Sequence, residues 1–81
     1  MIDLGRAVDI IEEHFPKAEP KEAYMYKKKF YLIMAPSGEN DRNDPFYIVD
    51  VANGDYRFLN PLEDIDSFNG ALERGPIKIF D

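Results

Sequence analysis

Residues 44–59, which read DPFYIVDVANGDYRFL, decide the fold of this chain. Two runs rich in β-branched and aromatic residues flank Asn53-Gly54, a dipeptide that strongly favours a tight turn between antiparallel strands. If these two residues form the turn, Asp50 lies opposite Arg57 and the pair forms a cross-strand ion pair. A three-residue loop with a bulged Gly54 would instead shift the pairing and regroup the two faces. We favour the two-residue turn, because it also gathers four apolar side chains on one face: Val49, Val51, Tyr56 and Phe58.

A further hairpin is predicted upstream of this one. Residues 22–26 and 30–35 are both β-prone, and three consecutive lysines, Lys27–Lys29, separate them as a short charged turn. A single long strand that bends at the lysines is the less favoured alternative. Residues 36–45 are predicted to form a loop, because they are rich in Asn, Asp, Gly and Pro. The two hairpins together supply four antiparallel strands.

A helix is predicted on each side of the two hairpins. The first covers residues 4–14 with Asp3 as its N-cap, because five apolar residues recur at helical spacing: Leu4, Ala7, Val8, Ile11 and Phe15. The second begins at Asn60-Pro61 and closes at Gly75-Pro76. Its narrow apolar face consists of Leu62, Ile65, Phe68 and Leu72. The tail, residues 77–80, forms either a short edge strand or a loosely attached end.

These elements predict a single α+β domain over residues 1–81. Its expected architecture is an N-terminal helix, a four-stranded antiparallel sheet made from two hairpins, and a short C-terminal helix. Both helices are expected on the same face of the sheet, which leaves the other face open to solvent.

Composition excludes several functional classes. The chain has 16 acidic and 10 basic residues and a net charge of −6, which disfavours binding to nucleic-acid phosphates or anionic lipid. It has no cysteine, so thiol catalysis and cysteine-ligated zinc are excluded. No apolar run approaches the length of a membrane span, and no secretory signal is visible at the start. We therefore expect a cytoplasmic protein that binds neither nucleic acid nor membrane.

Candidate catalytic groups are few, and each has a structural interpretation. His14, the only histidine, stands at a predicted helix C-terminus, where a cation interacts favourably with the helix dipole. Asp50 and Asp55 form a possible carboxylate pair, but Asp50 is better explained as the partner of Arg57. The acids between residues 39 and 44 lack the glycine and glutamate spacing of a calcium loop. We expect no catalytic residue, no cofactor and no metal site.

The tyrosines suggest partner binding. Five of them lie on predicted strands: Tyr24, Tyr26, Tyr31, Tyr47 and Tyr56. Two helices on one sheet face cannot cover all of these rings, and exposed tyrosine is common at protein interfaces, although it is also an ordinary residue of a half-exposed sheet. The predicted partner-binding residues are three tyrosines and three acids of the 36–45 loop: Tyr24, Tyr26, Tyr31, Glu39, Asp41 and Asp44.

Residues 44–68 also carry a family resemblance. The run Pro45-Phe-Tyr-Ile-Val-Asp50 is followed after four residues by Asp55-Tyr56, then by Asn60-Pro-Leu-Glu-Asp64 and Phe68. This pattern resembles a hairpin found in small uncharacterised α+β proteins encoded in phage and prophage gene clusters. It is similar to a hairpin in a family of small toxin-immunity proteins and to PepSY-type domains, although PepSY proteins are usually exported. The resemblance implies binding, and it supplies no catalytic residues.

The sequence therefore predicts a non-enzymatic, acidic protein-binding domain, related to phage or prophage and acting in the host cytoplasm on a virion component or a host protein. The alternative is an immunity protein or inhibitor that binds a basic toxin or nuclease by charge complementarity. A third hypothesis is a metal-dependent hydrolase that uses Asp50 or the acids of the 36–45 loop.

Overall fold

The computed structural model describes residues 1–16, 18–35 and 46–80. Within these ranges the chain forms two helices and five strands. In chain order they are α1 (Leu4–His14), β1 (Glu19–Tyr26), β2 (Lys29–Ala35), β3 (Phe46–Asp50), β4 (Tyr56–Phe58), α2 (Ile65–Arg74) and β5 (Lys78–Ile79). The predicted α+β class is confirmed. Neither of the described helices is long and apolar enough to cross a membrane.

The strands form one antiparallel sheet in the order β4-β3-β2-β1-β5. Strands β1 to β4 follow one another as a meander, and the chain then returns after α2 to place β5 on the free edge of β1. Glu22 pairs with Ile79 and Ala23 with Lys78. The sheet described here therefore has five strands, where four were predicted, because the tail docks as an edge strand.

The turn between β1 and β2 consists of Lys27 and Lys28, and Tyr26 pairs with Lys29 across it. Both turn residues have positive φ, 52° and 65°. Two such residues are what a type I′ turn requires, and Asn-Gly would adopt that backbone more easily than Lys-Lys. The tight charged turn predicted at the lysines is therefore confirmed, and its two-residue geometry is the one that was predicted for Asn53-Gly54.

The turn between β3 and β4 is longer than predicted. The loop spans residues 51–55, and the Gly54 N–H donates to the carbonyl of Asp50 at 2.8 Å with Gly54 at φ 79°. Ile48 pairs with Arg57, so the predicted pairing of Asp50 with Arg57 is wrong by two residues. The carboxylate of Asp50 instead accepts the N–H of Ala52 at 2.8 Å and stabilises the loop. A shift of two residues leaves every side chain on its predicted face.

The two helices lie on opposite faces of the sheet, so the prediction that both share one face is wrong. Buried residues of α1 pack with one set of alternating strand residues, which includes Ala23, Leu32 and Val49. Ala71 of α2 packs with the other set, which includes Tyr31 and Ile48. Neighbouring residues of β2 and β3 thus place apolar side chains on both faces of the sheet, and each face must be covered by a helix.

Helix α1 has the predicted boundaries and cap. The Asp3 carboxylate accepts the Arg6 N–H at 2.9 Å, and the N–H of Phe15 closes the last turn on the Ile11 carbonyl at 2.8 Å. The buried residues of the helix recur at the spacing of one helical face: Ala7, Val8, Ile10 and Ile11.

Candidate functional site

Small residues on α2 form its contact with the sheet. Gly70 lies so close to Tyr26 that a Cβ atom at this position would be 2.6 Å from the Cζ atom of the ring. Ala71, the next residue, is fully buried, and Ser67 lies beside the hydroxyl of Tyr31. A face without bulky side chains lets α2 rest directly on the tyrosine rings. The helix therefore approaches the sheet most closely at Gly70 and Ala71, of which Ala71 is fully buried.

The apolar residues of α2 point elsewhere. Of the four residues in the predicted apolar face, Leu62 is 90% exposed, Ile65 44% and Leu72 40%. Phe68 is half-buried, and its ring centroid lies 5.3 Å from that of Phe46. At about 100° per residue, Ile65, Phe68 and Leu72 form one line along the helix, roughly 140° away from the small-residue face. We call these three residues the α2 stripe.

The segment before α2 fixes this rotation. The Asn60 side-chain oxygen accepts the N–H groups of Leu62 (2.9 Å) and Glu63 (3.3 Å), so it caps a single turn. The α-helix itself begins at Ile65, although the Asn60-Pro61 pattern predicted an earlier start. Leu62 therefore lies in the turn that precedes α2, which explains why it does not pack with the helix.

An ion pair holds the start of α2 against β4. The Asp64 carboxylate accepts two hydrogen bonds from the Arg57 guanidinium, at 2.6 and 2.8 Å, and a third from the Asn60 N–H at 2.7 Å. The Arg57 hydrogen bonds lower the pKa of Asp64, with a smaller contribution from the Asn60 N–H, against the opposing effect of burial. Asp64 also raises the pKa of Arg57. Since Asp64 is buried and fully bonded, this pair positions the helix.

The solvent side of α2 is acidic. Glu63, Asp66 and Glu73 are exposed, and Asp66 and Glu73 stand on the same side of the helix, next to Ile65. The basic residue of the last turn, Arg74, is directed away from them, because its guanidinium lies 5.4 Å from the centre of the Tyr26 ring. The α2 stripe is therefore bordered by negative charge.

The structure places the three predicted partner-binding tyrosines on the face that α2 covers. Tyr24 and Tyr31 are only 6% and 3% exposed, whereas Tyr26 and Tyr56 are half-buried, so some of the five strand tyrosines stay partly exposed, as expected. The Tyr24 hydroxyl donates to Glu22 at 2.5 Å, and this bond, burial and the Glu22 charge raise the pKa of Tyr24. Burial is also the main cause of the raised pKa of Tyr31. Tyr26 is half-buried between Lys27 and Arg74.

The three predicted acids, Glu39, Asp41 and Asp44, lie outside the described residues. The other candidate groups have structural contacts. The Nδ1 atom of His14 is 2.9 Å from the Ile10 carbonyl, and its ring lies 4.6 Å from that of Tyr56. Asp50 and Asp55 border a shallow depression of about 110 Å³ together with Lys29 and Arg57. Within the described ranges, no group of three or more His, Cys, Asp or Glu side chains is placed to hold a metal ion.

Sequence reasoning treated the α2 stripe as core, because an amphipathic pattern does not state which surface covers it. The adjacent small residues, Ser67, Gly70 and Ala71, were the available signal, since they form an alternative packing face. The site that the described residues support best is the α2 stripe with its acidic border.

Comparisons of the chain with protein-family models, with curated proteins and with solved structures found no match.

Proposed function

We propose that this chain is a small non-enzymatic domain that binds a protein partner through the α2 stripe. The observation that carries the proposal is the exposure of Ile65 and Leu72, 44% and 40%, although Gly70 and Ala71 of the same helix pack on the sheet. A scattered exposed leucine is ordinary on a protein surface, but an aligned apolar row beside the half-buried Phe68 is a surface that a partner would desolvate.

Full burial of a leucine or isoleucine side chain contributes about 1.5–3 kcal/mol. Ile65 and Leu72 obtain only part of this stabilisation when the domain folds, since each side chain is still about two-fifths exposed to water. A partner that covers both side chains would add the rest of this burial free energy. Because α2 is already folded on the sheet, binding would cost little entropy for ordering the helix.

A phage- or prophage-related role in the host cytoplasm is part of the same proposal, with a virion component or a host protein as the partner. Its support is the resemblance of residues 44–68 and the acidic, cysteine-free composition. Genes for capsid or tail proteins beside the coding sequence would support this role, and a neighbouring toxin gene would oppose it.

Affinity capture from cell lysate tests the binding surface. The double variant Ile65→Asp/Leu72→Asp replaces both exposed side chains of the stripe and adds two negative charges. Lys21→Glu is the matched control, because it changes the net charge by the same amount at an exposed position of β1. We expect the wild type and Lys21→Glu to capture the same partner and the double variant to lose it. Equal capture by all three would refute the proposed surface.

A second candidate function is inhibition of a basic toxin or nuclease. The acids of α2 are joined on the other helix by the exposed Asp9, so both faces of the domain present negative charge, although Glu13 pairs with Arg6 at 3.0 Å. This function predicts binding that salt weakens steeply and that Ile65→Asp/Leu72→Asp leaves intact. Capture of a basic protein by the double variant would therefore favour inhibition.

A further inference from the structure

We infer that the partner segment that docks on the α2 stripe is a basic amphipathic helix. The inference rests on the proposed function and adds the chemistry of the occupant. It draws on three features of the described residues: the geometry of the stripe, its position on the sheet and the charge along its border.

The geometry of the stripe matches the repeat of a helix. Ile65, Phe68 and Leu72 are spaced by three and four residues, so the row is about 10 Å long. The middle residue of the row, Phe68, packs against Phe46 of β3. Ile33 of β2 is another partly buried residue of the same cluster. A helix with apolar residues at i, i+3 and i+7 presents a row of the same spacing to Ile65, Phe68 and Leu72.

The position of the stripe excludes an added strand as the occupant. Strand addition requires free backbone groups at a sheet edge, and the edges of this sheet are β4 and β5. The stripe lies on a helix, whose backbone groups are already bonded within the helix. Recognition there depends on side chains, and a helical partner satisfies its own backbone hydrogen bonds.

The charge of the border favours a basic partner. Asp66 and Glu73 are exposed beside Ile65, and Glu63 is exposed before the helix start. A helix that carries lysine or arginine beside its apolar row would place those cations against these carboxylates. The net charge of −6 would also attract such a segment over longer distances.

The same charges disfavour a second copy of this chain. A twofold contact between two α2 stripes would bring identical carboxylates together across the interface, and each copy carries a net charge of −6. Stable interfaces bury about 1,200–2,000 Å² in total, and a row of three side chains on each copy is small by that measure.

Designed peptides test the inference directly. The first probe is a synthetic helix of about 18 residues with leucine at i, i+3 and i+7 and lysine at most other positions. The second has the same composition in scrambled order, and the third has glutamate in place of lysine. Binding is measured by fluorescence anisotropy, and methyl NMR of the intact protein locates it. We expect the ordered basic peptide to bind and to shift the methyl signals of Ile65 and Leu72.

Two variants separate the apolar and the ionic contributions. Ile65→Ser/Leu72→Ser is expected to weaken binding of the basic peptide about tenfold or more. Asp66→Asn/Glu73→Gln is expected to weaken it about fivefold, whereas the matched pair Asp9→Asn/Glu19→Gln, at exposed sites outside α2, leaves it unchanged. Circular dichroism of each variant confirms that the fold is retained.

The inference is overturned if the ordered basic peptide does not bind, or if the scrambled or glutamate peptide binds as tightly. It is also overturned if the protein forms a dimer in sedimentation equilibrium that Ile65→Ser/Leu72→Ser abolishes. The proposed function fails on a different result, namely equal lysate capture by the wild type and Ile65→Asp/Leu72→Asp. A partner that depends on the stripe but is not a basic helix would thus refute the inference alone.

Discussion

The two helices are of nearly equal length and are both amphipathic, yet they use their apolar sides differently. In α1 the apolar side faces the sheet, and Ile11 and Ala7 are completely buried. In α2 the sheet contact is made by Phe68, Gly70 and Ala71, and two residues of its apolar side, Ile65 and Leu72, are 44% and 40% exposed.

The difference shows that amphipathicity alone does not determine how a helix packs. Beneath α1, the aliphatic side chains of the helix pack in one cluster with Ala23, Leu32 and Val49. Beneath α2, the Tyr26 ring lies so close to the helix that a Cβ atom at position 70 would clash with it, while Phe68 packs against Tyr31 and Phe46. The partner surface therefore decides which side of a helix becomes core.

The largest loss of unfolding free energy is expected for truncation of Ile11 in α1. Ile11→Ala removes a fully buried side chain from the core, and such a change costs about 2–5 kcal/mol of unfolding free energy. Leu72→Ala in α2 removes a similar volume from an exposed position and is expected to cost less than about 1 kcal/mol. Urea unfolding monitored by circular dichroism measures both. Equal losses would contradict the contrast between the helices.

The second effect concerns the close approach of α2 to Tyr26. Gly70→Leu places a bulky side chain where even a Cβ atom would be 2.6 Å from the ring, so α2 must shift. We expect a loss of about 1–3 kcal/mol, the usual cost of overpacking. Asn69→Leu, at the neighbouring exposed position, is the control and should change the unfolding midpoint little. If both variants unfold at the same urea concentration, the small-residue face is not the packing face.

The ion pair at the start of α2 predicts a dependence of stability on pH. The pKa of Asp64 is lower in the folded protein than in the unfolded chain, where it is about 3.9. The unfolded state therefore takes up the proton first as the pH falls. The stabilisation by Asp64 is present above about pH 5 and is lost as the pH falls below about 4.

Asp64→Asn tests this dependence. Because Arg57 is about half exposed, we expect the variant to lose only about 1 kcal/mol of unfolding free energy at pH 7. The difference from the wild type should narrow as the pH falls through the range below 4. Glu63→Gln, at an exposed neighbouring site, provides the control. If the difference in unfolding free energy stays constant down to pH 2.5, the negative charge of Asp64 does not contribute to stability.

Much of the fold was predictable from local signals. The boundaries and cap of α1, the paired runs of the two hairpins and the end of α2 at Gly75 follow from capping, alternation and turn chemistry. The hairpin register at Asn53-Gly54 was not predictable in the same way, because Asp50 bonds within the loop where a cross-strand partner was expected. A turn of two lysines with positive φ also contradicts the usual residue preference.

The placement of the helices depended on information that a local pattern lacks. The strands are apolar on both faces, as Tyr31-Leu32 and Ile48-Val49 show, and such strands indicate two covers. Reading the tyrosines as interface residues hid this signal, because tyrosine is equally suited to a buried position with a bonded hydroxyl. Tyr24 and Tyr31 are buried in this way, whereas Tyr26 and Tyr56 keep partial exposure, and the α2 stripe, whose pattern predicts a core position, has two side chains about two-fifths exposed.

The smallest loss of unfolding free energy is expected at the α2 stripe, which is the proposed binding surface. Ile65→Ser/Leu72→Ser should change the unfolding free energy by no more than about 1 kcal/mol, because both side chains are already about two-fifths exposed in the folded state. The equivalent change in α1, Val8→Ser/Ile11→Ser, should prevent stable folding, since both residues are core. Thermal unfolding monitored by circular dichroism compares the two. If polar replacement of Ile65 and Leu72 costs little stability but abolishes capture of a partner, these side chains serve binding. This pair of results would distinguish the α2 stripe from an ordinary core.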